Sequence, residues 1–364
     1  MKMKKITNLI TVAVFVLIVS LGCLLTAFLP KQTLSETERR ELAAFPECTA
    51  KTVLDGSFFN GLTEYVTDHF ALREAFRTLN TVLRVDVLGQ PDSGGVFEAE
   101  GYLFEPAWPM DEQAILNNTA KMQWITDTYF ADKPVYFSIV PDKADFTDEP
   151  CLKLDTEHVV ELVSENFGGE YIDITDTLSL GDYYRTDTHW QQDKLGDTAD
   201  ALVSGMGGTL PESTFEWITL DGAFHGVLRG RYAKPTDAED KLTYGVNDVT
   251  ESAVVRDLAH PGVSTVYVPE TESLVRYDVF LSGATPIIEV TNTQTDNGKH
   301  LVLFRDSFGS SIAPWLLTAY EKITIIDIRY VSSAILGEQT ELSTADEVLF
   351  LYSTAILNTG GILK

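Results

Sequence analysis

The sequence predicts an α/β protein with a mostly parallel sheet, behind a single N-terminal membrane-spanning helix. Three observations predict this. Apolar, strand-like runs alternate with stretches of helical spacing, the pattern of a parallel sheet linked by crossover helices. One run, "LVLF" at 301–304, is continuously apolar and ends in a tight turn before an apolar helix, as a strand buried on both faces does. An uncharged segment close to the ~20 residues that span a bilayer opens the chain.

That segment is "LITVAVFVLIVSLGCLLTAFL", residues 9–29, preceded by Lys2, Lys4 and Lys5. The compact basic flank predicts a cytoplasmic N-terminus and an extracytoplasmic remainder at the cell membrane. Three readings fit the segment: an uncleaved signal anchor, a cleaved signal peptide, and a lipoprotein signal cut before Cys23. A cleaved peptide usually has a shorter apolar core and a small-residue cleavage site. For the lipoprotein, Ser20 stands where a large aliphatic residue is usual, and the apolar run continues past Cys23. The signal anchor is the reading adopted, with residues 1–30 as cytoplasmic tip and anchor.

The 364 residues suffice for a sizeable core, and 44% hydrophobic content makes most of the chain globular. A formal net charge of −27 excludes a nucleic-acid binder, because nothing would neutralise phosphates. The cysteines are Cys23, Cys48 and Cys151. They form no Cys-x-x-Cys or Cys/His cluster, so no metal site is expected, and no cofactor. Spacing alone does not establish whether Cys48 and Cys151 pair.

Residues 31–95 read as a linker and helical lead-in. The charged "SETERRELAAFPE" comes first. Apolar residues from Phe58 to Leu83 then recur at helical spacing. They predict two helices broken near His69, with His69 and Arg73 holding the turn. A domain over 96–364 follows. It opens with a hairpin, "VFEAEGYLF", turning at Glu100 and Gly101, and a helix over 111–129. "PVYFSIVPDK" reads as a buried strand broken at Pro141. A helix over 157–166, a strand over 170–175 and a helix over 191–206 continue the alternation. Residues 210–293 break it, with strand-like runs such as "STVYVP" and "YDVFLSG", and read as a β-rich insertion or flap. The alternation resumes with "HLVLFRDSFGSSIAPWLLTAY" as strand, turn and helix, then the strands "KITIIDIRY" and "EVLFLYS".

Two turns carry chemistry. Ser307 in "RDSFGSS" stands at a strand's carboxyl end and a helix's start, where open α/β sheets form their sites and backbone N–H groups can stabilise an oxyanion. Alone, Ser307 or Asp306 there reads as a helix cap. The second turn, "YYRTDTHWQQD", sets Asp187 two residues before His189. A serine hydroxyl is a poor nucleophile without a base. His189 supplies the base and Asp187 the group that orients it.

"RTDTHW" with the later "RDSFGSS" resembles the DHHW family of bacterial surface proteins, in the SGNH-hydrolase-like group that includes the alginate O-acetylation proteins AlgX and AlgJ. The likeness takes in "DGSFFNGLTEYVTDHFALREAF", "EAEGYLF", "VPDK" and "IDIRY". It implies an α/β/α sandwich, a permuted order with Asp and His before Ser, and acetyl-ester chemistry on a surface polysaccharide by Ser307, His189 and Asp187. Thr188 replaces the motif's second letter. Arg305 stands where SGNH enzymes carry Gly, and the family's Gly and Asn oxyanion donors are not matched to positions in this sequence.

Lys143, Trp190 and Arg305 are the candidate substrate contacts. Lys143 reads equally as a solvated turn lysine, and Trp190 as packing for the imidazole. His225, Arg229, Arg231 and Lys234 read either as a contact for a sugar or carboxylate or as a surface loop balancing Asp237, Glu239 and Asp240, and the loop is the reading adopted. Asp327 and Arg329 read as a structural pair. The resulting expectation is an envelope acetyl-ester transferase or esterase. Its partners would be the polysaccharide or its acetyl donor, and possible further polysaccharide-assembly proteins. The competing expectation is a non-catalytic glycan-binding or assembly protein of the same fold. The distance from His189 Nε2 to Ser307 Oγ discriminates the two.

Overall fold

The computed structural model describes residues 2–35, 37–270 and 274–364, with side chains from Ile6 onward. The side chains of Lys2, Lys4 and Lys5, on which the expected orientation rests, lie outside the described residues, as does Glu36 of the charged lead-in. The chain divides into two compact units. One is Met1–Gly94 with Arg229–Thr236, the other Gly95–Leu228 with Asp237–Lys364.

The first unit is helical. Helix α1 (Lys2–Phe28) contains a stretch, Ile6–Phe28, that is long and apolar enough to cross a membrane. Helices α2 (Ser57–His69) and α3 (Arg73–Val82) are separated at Leu72, whose φ of 63° stops the helical path. His69 and Arg73 hold that region, as read from the sequence. The His69 Nε2 lies 3.0 Å from Ala43 O, and Arg73 pairs with Glu38 at 2.8 Å.

The second unit is a three-layer α/β/α sandwich, as the resemblance implies. Its chain begins with the hairpin of Phe97–Ala99 and Tyr102–Phe104. Glu100 and Gly101 both take positive φ, which a two-residue primed turn requires. Next come helix α4 (Glu112–Tyr129), strand β1 (Val135–Val140), helix α5 (Thr156–Asn166), strand β2 (Glu170–Tyr171) and helix α6 (Gly196–Gly205). Strands β3 (Val254–Asp257), β4 (Ile287–Thr291) and β5 (His300–Arg305) follow. Helix α7 (Phe308–Leu316), strand β6 (Lys322–Ile326) and strand β7 (Glu347–Ser353) complete it.

The sheet order is β2-β1-β7-β5-β6-β4-β3. The first five strands are parallel, and β4 and β3 add antiparallel at one edge. Alternate residues of β5 serve opposite layers. Leu301 and Leu303 pack with Leu202 and Val203 of α6 and Ile312 and Leu316 of α7. Val302 and Phe304 pack with Ile115 and Met122 of α4 and Val159 of α5. The all-apolar run is thus the signature of a strand covered on both faces.

Three elements differ from expectation. The strand over 170–175 stops at Tyr171, because the Asp173 carboxylate accepts the Thr175 N–H and turns the chain away. The helix over 191–206 begins only at Gly196, after a 3₁₀ turn at Gln192–Lys194. Within 210–293, Glu216–Thr219 and Thr243–Val246 form a separate hairpin-like pair, but β3 and β4 extend the main sheet. "STVYVP" and "YDVFLSG" are not strands; they meet only through a bridge between Tyr267 and Phe280.

Helix α7 crosses directly over its own strand. A Cβ on Gly309 would lie 2.4 Å from Arg305 Cβ. Gly309→Ala should therefore cost about 1–3 kcal/mol of stability through overpacking, read as a lowered denaturation midpoint. Gly262→Ala, with open space around it, should leave the midpoint unchanged.

Candidate active site

Three adjacent parallel strands deliver the site. The register pairs Val140 of β1 with Ser353 of β7, and Arg305 of β5 with Leu351 of β7. The turns beyond their carboxyl ends therefore lie side by side. They carry Asp142 and Lys143, Thr354, and Asp306 with Ser307.

In residues 300–314 Ser307 alone is not buried. Asp306 caps the helix: its Oδ1 accepts the Phe308 N–H at 2.9 Å, and its Oδ2 accepts the Ser353 N–H at 2.8 Å. Ser307 makes no side-chain cap hydrogen bond. Its Oγ lies instead 2.7 Å from His189 Nε2. His189 Nδ1 lies 2.6 Å from Asp187 Oδ1. A carboxylate only accepts, so the proton sits on Nδ1 and Nε2 is left to accept from the Ser307 hydroxyl.

The imidazole is fixed from its faces as well. Tyr277 stacks on it with ring centroids 4.0 Å apart and planes at 15°, and Phe308 tilts against it at 5.0 Å. The Tyr277 hydroxyl donates to Ser311 Oγ at 2.7 Å, which fixes the stacking ring.

The loop carrying Asp187 and His189 has little regular structure, so other segments hold it. Asp240 accepts the Arg185 and Thr186 N–H groups, each at 2.7 Å, and the Thr186 hydroxyl. Val227 N–H donates to Asp187 Oδ2 at 2.8 Å, and Gly226 N–H to Thr186 Oγ1 at 2.8 Å. A Cβ on Gly226 would fall 2.0 Å from Thr186 O, so only glycine allows this approach. Lys143 Nζ donates to Tyr184 O at 3.0 Å and Asp187 O at 2.6 Å. Burial pushes the Lys143 ammonium down to about 8, opposed by the charges of Asp187, Asp142 and Asp240. Burial likewise pushes the Asp142 carboxyl up to about 6.

Ser307 and His189 open into a cavity of about 440 Å³, whose walls include Trp108, Asp142, Thr354 and Asn358. Trp108 is 52% exposed. The Thr354 hydroxyl is buried and has no partner among the described residues.

The structure thus brings Ser307, His189 and Asp187 together. The three expected substrate contacts are all buried side chains. Lys143 borders the cavity and donates to backbone carbonyls, so it is not a solvated lysine. Trp190 is fully buried; its Nε1–H donates to Ser311 Oγ at 2.8 Å and its ring packs edge-on against Phe308. Arg305 is 1% exposed, donates to Gly283 O at 3.1 Å and faces Asp327 at 3.5 Å. Asp240 is corrected from surface counter-charge to loop anchor. Asp327 and Arg329 do pair, at 2.6 Å. Asp240→Ala should strand three donors beside Asp187 and cost about 1–3 kcal/mol or more. Urea melts should show it, with Asp221→Ala at an exposed position as the silent control.

No family model matches the chain, and no curated protein matches it. Solved structures do. A DHHW family protein from Eubacterium siraeum superimposes with a TM-score of 0.60 at 18% identity, covering 73% of this chain and 92% of that one. PatB1 of Bacillus cereus gives 0.58 at 17%, covering 74% and 98%. PatB1 with a sulfonyl adduct gives 0.58 at 18%, covering 74% and 97%. The SGNH-like α/β fold of the second unit is shared with these proteins.

Proposed function

We propose that the protein is a membrane-anchored, extracytoplasmic enzyme that moves or removes an acetyl ester on a cell-envelope polysaccharide. The observation that carries this reading is the continuous hydrogen-bond chain from Asp187 through His189 to Ser307, ending in a cavity. The apolar helix α1 supports the anchor, and the DHHW-like motifs support the acetyl-ester class. The 2.7 Å approach of His189 to Ser307 favours catalysis over the binding-protein alternative.

In this mechanism Ser307 Oγ bonds to the acetyl carbonyl carbon as its proton passes to His189 Nε2. The carbonyl π pair moves onto oxygen. Ser307 N–H, which has no acceptor among the described residues, is the donor assigned to that oxyanion. Collapse expels the donor's oxygen, which takes the proton from the imidazolium, and acetyl-Ser307 remains. A sugar hydroxyl or water then gives its proton to Nε2 and attacks, and the proton returns to Ser307 Oγ. Asp187 stays ionised and stabilises the imidazolium.

The cavity also speaks to the sugar. Glu105, Asp142 and Asp306 contribute to its walls, and the Lys143 charge is turned to the protein. Exposed Trp108 offers a flat ring for the apolar face of a pyranose. A neutral or amino sugar suits these walls better than a polyanion does.

Ser307→Ala should abolish acetate release from an acetyl ester by the full chain in detergent, without lowering the melting temperature, since Ser307 Oγ caps nothing. His189→Ala should be as damaging, and the double variant no worse, because the three groups act as a unit. Retained release in Ser307→Ala would refute the assignment. An inactive wild type across acetyl donors would instead favour the binding-protein reading. Added oligosaccharide that raises donor consumption and becomes acetylated marks a transferase.

The pH dependence follows from Lys143. Its ammonium holds the loop below about pH 8, and raising pH through that value removes the proton. Turnover should therefore fall on the alkaline side. Lys143→Met should be weakly active at every pH and lack that limb.

A further inference from the structure

Helix α3 is built inside out. Its polar residues face the rest of its unit: Arg77 Nη2 donates to Gly230 O at 2.6 Å, Thr78 Oγ1 to Ala233 O at 2.7 Å, and Thr81 Oγ1 to Tyr232 O at 2.7 Å. Its apolar residues face out. Leu72, Phe76, Leu79, Leu83 and Val87, spaced four, three, four and four apart, form one stripe along α3 and the helical turn Leu83–Val87 that continues it. They are 67%, 53%, 49%, 44% and 65% exposed. The hydrogen bonds on the opposite side fix this rotation, so the stripe cannot turn inward without breaking them. An apolar stripe of this extent on a soluble surface marks an interaction site.

The membrane helix says what covers it. Ala71 N–H donates to Thr26 Oγ1 at 3.0 Å, and Lys31 Nζ donates to His69 O at 3.3 Å. The turn between α2 and α3 is therefore tied to the last turn of α1, where the apolar span ends at Phe28. Leu72, the first residue of the stripe, is the next residue in the chain. The stripe starts at the level where the span leaves the hydrocarbon.

We propose that α3 and its continuation lie on the outer bilayer surface as an interfacial helix. The apolar stripe then sits among the upper acyl chains, roughly 5–10 Å deep. Arg84, exposed on the same segment, suits an anionic headgroup layer. This inference rests on the reading of α1 as a membrane anchor. It gives the chain a second membrane contact that holds the first unit against the surface rather than letting it hang from a single helix.

The test uses the full chain with Cys23, Cys48 and Cys151 replaced by serine, reconstituted in phosphatidylethanolamine–phosphatidylglycerol vesicles. Single bimane labels are placed at Phe76→Cys, Leu83→Cys, Val16→Cys in the span, and Glu165→Cys at an exposed site of the other unit. Retained cooperative melting checks that each variant folds. Brominated lipid should cause loss of emission at Phe76, Leu83 and Val16 but not at Glu165, while aqueous iodide should quench Glu165 alone. If Val16 responds to brominated lipid and Phe76 and Leu83 respond only to iodide, the anchor stands and the surface helix is wrong. If Phe76 and Leu83 are shielded from both quenchers, a second copy or another protein covers the stripe, and the lipid assignment is overturned. If Val16 ignores brominated lipid, the anchor reading fails and takes the proposal with it.

Discussion

The candidate site depends on one hydrogen bond, the 2.6 Å contact between His189 Nδ1 and the Asp187 carboxylate. It selects the tautomer that leaves Nε2 to accept from Ser307, and it fixes the direction in which that nitrogen points. The Asp187 side chain is only 2% exposed. A buried carboxylate needs compensation. One oxygen serves the imidazole and the other accepts from Val227 N–H. The Lys143 ammonium bonds the Asp187 carbonyl and supplies nearby positive charge. Polar groups around Asp187 thus hold a loop that lacks regular secondary structure.

The sheet contributes the opposite half. Parallel register places the ends of β1, β5 and β7 in a row, so the Ser307 turn is rigid while the His189 loop is clamped. Asp306 takes over the cap and ties the turn to Ser353, which frees the Ser307 hydroxyl for His189. A helix start is thereby satisfied without using its most chemically useful side chain.

What the sequence disclosed was local. The apolar run of β5, the turn residues at Glu100 and Gly101, and the helical spacing of α4 and α5 each depend on neighbours a few positions away. The Asp-x-His spacing was equally plain. The clamps were not. Asp240 lies more than fifty residues from the loop it holds, and Tyr277 nearly ninety from the imidazole it covers. No periodicity marks either one. Gly226 carried a faint signal, since a glycine outside an obvious turn suggests close backbone approach, but its partner Thr186 was not nameable. β3 and β4 fall in the stretch that reads as an insertion because antiparallel edge strands interrupt the strand–helix rhythm that marks the others. Lys143 misled for a different reason: lysine is rarely buried, and the carbonyls that accept its protons come from a distant turn.

The account's central claim is that His189 activates Ser307. The most direct measurement is covalent labelling with a serine-directed fluorophosphonate, located by peptide mass spectrometry. The account predicts one adduct, on Ser307 in the wild-type chain, and a near-complete loss of it in a folded His189→Ala variant. Labelling of another serine, or equal labelling of Ser307 without His189, would contradict it.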